Sequence, residues 1–134
     1  MSPRDVARLI AAGRIAIGAA LMVAPRLSTR LWLGEDADRP GTQVVARAMG
    51  VRDVVTGAIA LHTLGRPDVG ARWQRTLAGV DAVDLAATLA ARRELPRSGV
   101  ALVVAMASFG VAGQLWAAQG LAEDATESLP AAPA

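Results

Sequence analysis

A chain of 134 residues has room for one domain and no second one. Hydrophobic residues make up 53% of it and aromatics only 3%, so the apolar mass is Ala, Val, Leu and Gly, side chains that let helices approach closely. A net charge of +2 without a clustered basic face excludes a polynucleotide binder, and the absence of cysteine excludes disulfides, thiolate chemistry and Cys-held metals.

The first apolar stretch runs from Val6 to Ala24 and stops at Pro25. At 1.5 Å per residue it can just cross a hydrocarbon core, although Arg8 and Arg14 interrupt it. An Arg-bearing start before an apolar run also fits a signal peptide; the length of the run and its poor cleavage pattern favour a retained helix over about residues 6–24. The connection Pro25 to Gly41 follows. In it Leu27, Leu31 and Trp32 share one side of a short helix, with Arg26 and Arg30 available to headgroups, an interfacial pattern. The acidic run Glu35, Asp36 and Asp38 matches no metal loop and reads as solvated.

A second helix is expected over 44–64, closed by a turn at Gly65, Pro67 and Gly70. The third, over 72–91, is the least apolar and carries Asp81 and Asp84, so it must be shielded by the others. The fourth, over 99–121, is charge-free from Val100 to Leu121 and anchors the membrane reading. Residues 122–134, acidic and rich in Pro and Ala, are expected to be a disordered tail. Trp32, Trp73 and Trp116 fall near helix ends, where amphipathic rings sit at headgroup level. Arginines divide almost evenly between the two sides, so the positive-inside rule does not orient the chain.

These segments make an all-α chain, a four-transmembrane-helix antiparallel bundle. Their midpoints carry Arg14, then Arg52 and Asp53, then Asp81 and Asp84. Facing lipid singly, five such groups would cost on the order of 15 kcal/mol. With Arg47 included, three Arg meet three Asp, and a neutral internal network of Arg14, Arg47, Arg52, Asp53, Asp81 and Asp84 becomes possible. Helical spacing puts Asp53 in a groove of small residues formed by Ala46, Gly50, Gly57 and Ala60. Asp81 and Asp84 share a face with Leu77 and Thr88. Ala12, Ala16, Ala20 and Ala24 on the first helix, and Ala82, Ala86 and Ala90 on the third, form further small-residue ladders.

The network admits a purely structural reading, in which Arg–Asp pairs fix which helices meet and in what register. It also admits a polar pocket. Two neighbouring carboxylates can divide acid and base roles, and Arg14 or Arg52 can hold an anionic headgroup or carboxylate. His62, the only histidine, sits near a helix end as an interfacial side chain, and Gln114 and Gln119 face other helices or headgroups. With one histidine and no G-x-S-x-G elbow, a zinc site or a Ser-His-Asp triad has nothing to build on, and no metal or cofactor is expected.

The stretches AAGRIAIGAALMVAPR, ARAMGVRDVVTGAIAL and DAVDLAATLAARRELP resemble a group of small, uncharacterised bacterial four-helix membrane proteins that is loosely DoxX-like. The G-x-R-D on the second helix and the D-x-x-D on the third are the most specific parts of this resemblance, which covers most of residues 6–121. It implies fold and location only, since that group has no established activity to carry over. DoxX-like proteins are linked to redox and membrane-assembly roles, and a chain without cysteine argues against a thiol role.

The leading expectation is a noncatalytic multi-pass protein of the bacterial inner (plasma) membrane. It would bind a lipid, a small apolar or anionic ligand or a partner through the Arg/Asp centre, with a homo-oligomer also open. The alternative is a small membrane enzyme of isomerase or cyclase type, with Asp81 and Asp84 as acid and base. A proton-coupled multidrug exporter has similar length and helix count but relies on a Glu in its first helix and on aromatic contacts, where this chain carries Arg14 and few aromatics. A soluble Ala-rich bundle competes, because 19% charge is high for a membrane protein.

Overall fold

The structure, a computed structural model, describes residues 1–127 and is all-helical over them. Five α-helices follow one another: α1 Pro3–Val23, α2 Pro25–Leu33, α3 Pro40–Thr63, α4 Pro67–Ala90 and α5 Arg97–Glu127, with a 3-10 turn Gly34–Asp38 between α2 and α3. Proline opens each of the first four at the first helical position, where its missing N–H costs nothing and its fixed φ suits the helix. Ser2 and Asp5 complete a reciprocal capping box ahead of α1. α1, α3 and α4 therefore begin three to five residues before their apolar segments do. Hydropathy marks where hydrocarbon could lie; the prolines mark where the backbone starts to coil. Pro67 and Gly70, expected in a turn, belong to the first turn of α4.

α5 corrects the expected tail. It continues to Glu127, so residues 122–127 are helical; the rest of that segment, 128–134, lies outside the described residues. Two cross-ties hold the extension: Arg4 of α1 pairs with Asp124 at 2.9 Å, and Ala122 packs against the buried cluster of Ala7, Leu64, Ala71, Ala117 and Leu121.

The four long helices pack with antiparallel neighbours. α1 lies along α3, with Gly18 against Gly50 and Ala11 against Gly57. A Cβ at Gly50 would sit 2.5 Å from the Gly18 carbonyl oxygen, so these two backbones touch where both residues lack side chains. α5 runs opposite to both α4 and α1, placing Gly70 near Leu121 and Ile10 near Gly113. α2 folds back beside the start of α5.

The groove expected on α3 is present: Ala46, Gly50, Asp53, Gly57 and Ala60 are all buried. The alanine ladders are not packing faces. Ala12, Ala16 and Ala20 on α1 and Ala82, Ala86 and Ala90 on α4 are exposed, and the buried face of α1 is Ala7, Ala11, Arg14, Gly18 and Leu21. Alanine is small and apolar on either side of a helix, so an alanine ladder alone does not say which side faces inward.

α1 and α5 are long and apolar enough to cross a membrane, and only 33% and 22% of their apolar windows are buried inside the protein. α3 and α4 have the length, 24 residues or about 36 Å each, but carry the ionisable residues.

Candidate functional site

The central side chains form a continuous chain of hydrogen bonds through all four long helices. Gln114 of α5 donates to Asp81 of α4, whose other oxygen accepts from Arg14 of α1. Arg14 also donates to Asp53 of α3 at 3.2 Å. Asp53 in turn accepts from its neighbour Arg52 at 3.2 Å, and Arg52 grips Asp84 of α4 through its two terminal guanidinium nitrogens at 2.8 and 3.3 Å. Charges alternate along the series from Asp81 through Arg14, Asp53 and Arg52 to Asp84, and both carboxylate ends lie one turn apart on α4. Arg14, Asp53 and Asp81 are only 9%, 8% and 9% exposed, while Arg52 and Asp84 are half-buried.

Local sequence explains the convergence. Asp53 can face α1 because the residues one and two turns away are Gly50, Gly57 and Ala60, which bring that helix close enough for Arg14 to reach. Asp81 can reach Gln114 because Gly110 stands opposite it; a methyl there would fall on the carboxylate.

Of the six residues expected in the network, five are in it. Arg47 is not: it lies exposed on α3 and makes none of these ion pairs. Six residues separate it from Asp53, which puts it about 120° away around the helix. Without Arg47 the tally is two Arg against three Asp, so the expected neutrality gives way to one excess negative charge when all five are ionised. Gln114, completely buried, was not expected as a member. Its signal was an amide in a charge-free stretch, one helical turn from Gly110. Arg14 Nε and Gln114 Oε1 remain buried without a partner.

A cleft of about 360 Å³ lies between α1 and α5 above this chain. Arg14, Asp53, Asp81 and Asp84 line its polar floor, and Leu9, Ile10, Ile17, Val103, Met106 and Phe109 line its walls. Leu9, Ile17, Met106 and Phe109 are among the exposed apolar residues, so the mouth opens onto the apolar surface of the protein. That volume is within the ordinary range for small-molecule sites.

The other singled-out residues lie elsewhere. His62 and Gln119 are exposed. Trp73 donates to the Thr56 carbonyl oxygen at 3.4 Å and so ties α4 to α3. Asp36 pairs with Arg39, and Asp38 with Arg26 and Arg30. Hydrogen bonding to Arg26 holds the Asp38 carboxyl below the usual carboxylate range. Among the described residues no group of His, Asp and Glu side chains is placed to hold a metal ion. Searched against protein families, characterised proteins and solved structures, the chain matches none.

Proposed function

We propose that α1, α3, α4 and α5 cross a bacterial inner membrane as a multi-pass four-helix bundle, and that the cleft between α1 and α5 receives a small amphiphilic or lipid-like molecule onto the Arg14–Asp81–Asp84 floor. One observation carries this reading: ionisable and amide side chains are buried among the helices while many large apolar side chains face outward. Arg14, Asp53, Gln74, Asp81, Thr88 and Gln114 are buried, while Val23, Val44, Val55, Val83, Leu102 and Phe109 are exposed. Water as the surrounding solvent favours the reverse arrangement, and exposed apolar surface on this scale marks contact with lipid or with other proteins. In hydrocarbon both halves make sense, since apolar side chains lose nothing by facing lipid and ionisable ones are tolerated inside when paired.

Binding is better supported than turnover. An acid–base pair needs both carboxylates available, yet both oxygens of Asp81 are already engaged, by Arg14 and by Gln114. The cleft also opens sideways, where a molecule dissolved in the bilayer can enter.

The chain has no cysteine, so single cysteines can be placed at will. In sealed vesicles Val83→Cys and Phe109→Cys should resist a membrane-impermeant maleimide applied to both faces, while Arg30→Cys reacts. Val83, 67% exposed on a helix whose hydropathy alone does not mark it as a span, is the decisive position. Labelling of Val83→Cys as fast as Arg30→Cys overturns the four-span reading. For the cleft, native mass spectrometry should find co-purified amphiphile on the wild-type protein and lose it in Met106→Trp, which fills the mouth; equal occupancy in both overturns the binding reading.

A further inference from the structure

The cleft has a sign. Its floor presents one guanidinium, Arg14, and three carboxylates, Asp53, Asp81 and Asp84; Arg52, which does not line it, reaches two of those carboxylates from behind. Counting Arg52 still leaves three negative charges against two positive. The walls are apolar throughout and include one aromatic residue, Phe109. The carboxylates are not grouped as a metal site. An excess negative charge beside hydrocarbon is costly, and a positive charge carried on an apolar body offsets it while filling the walls.

We propose that the cleft selects a monovalent organic cation, a hydrophobic ammonium-type amphiphile whose charge sits against Asp84, in preference to anionic molecules of the same shape. This rests on the cleft being a ligand site and adds its charge preference. Asp84 is the natural seat for the cation because it is half-buried and ends the chain of ion pairs; Arg52 already bonds both its oxygens, so the contact is one of charge and not of a hydrogen bond.

Tetraphenylphosphonium and tetraphenylborate test this directly, being nearly identical in shape and opposite in charge. Equilibrium dialysis of the purified full-length protein in an uncharged detergent, corrected for empty micelles, should show the phosphonium bound at least ten-fold tighter. Asp84→Asn should weaken phosphonium binding by ten-fold or more and leave the borate unchanged, and Met106→Trp should abolish cleft binding of both. The wild-type comparison decides the sign even where Asp84→Asn fails to fold. Borate bound as tightly as phosphonium or tighter, and displaced by Met106→Trp, overturns the charge preference while the ligand site stands. Binding of neither ion that depends on Met106 overturns the preference and the ligand site together.

Discussion

Two clusters in this protein use the same chemistry at the same distances in opposite surroundings. At the centre, Arg14 and Arg52 meet Asp53, Asp81 and Asp84; beside α2, Arg26 and Arg30 meet Asp38 at 2.8 and 3.2 Å. Side chains of the central Arg14–Asp53 pair are 8% and 11% exposed, and those of Arg26 and Asp38 are 64% and 40% exposed. Distance therefore does not separate them. Solvent does: an exposed pair is screened and worth little, whereas breaking a buried one strands a charge that water cannot reach. The central cluster should govern whether the helices assemble, and the outer one should leave assembly almost untouched.

The sharpest way to break that contrast is Arg14→Met. It removes the only cation touching Asp81 and one of two touching Asp53, so the loss should be on the order of 3–5 kcal/mol. Thermal unfolding in detergent should show it, or the yield should collapse. Arg14→Lys should recover only part, because a point charge on one nitrogen cannot reproduce a fork that spans two helices. Next in size is Gly50→Leu, which drives a side chain into the Gly18 carbonyl and should cost about 1–3 kcal/mol through overpacking. Asp84→Asn follows: the amide oxygen can still accept from Arg52 and Arg52 keeps Asp53, so the expected loss is about 1 kcal/mol with full helical content by circular dichroism.

The contrast was half legible before the fold was known. Apolar runs placed the long helices, and 100° spacing placed Asp53 in its groove of Gly and Ala, because one strongly polar residue flanked by small ones has only one packable face. Arg47 was counted by its charge and its place on the same helix, but the angle around the helix decides whether a side chain meets a partner or the surroundings. The partnership of Gln114 with Asp81 could not be read at all: the two are 33 residues apart, and only the pairing of α4 with α5 brings them together. Helix starts were hidden for another reason. Pro3, Pro40 and Pro67 look like breakers in a hydropathy scan and act as initiators when they fall at the first helical position.

The smallest expected effect belongs to Asp38, and it sharpens the contrast through pH and salt. Its carboxyl is held below the usual range chiefly by the hydrogen bond from Arg26, so whatever stability the pair contributes is present above the unfolded carboxylate value, about 3.9, and is lost as pH falls through the lower folded value. Asp38→Asn should consequently lower the unfolding temperature less than any of the variants above at pH 7, and by nothing once the pH lies below the folded value, where the wild-type carboxyl is protonated as well. About 1 M salt should erase the difference at pH 7, because both partners stand in water where the screening length is about 3 Å. The same salt should leave the deficit of Arg14→Met in place, since ions do not enter the packed centre. A salt response shared by both variants would mean that the central arginine is solvated after all, and the distinction between the two clusters would disappear.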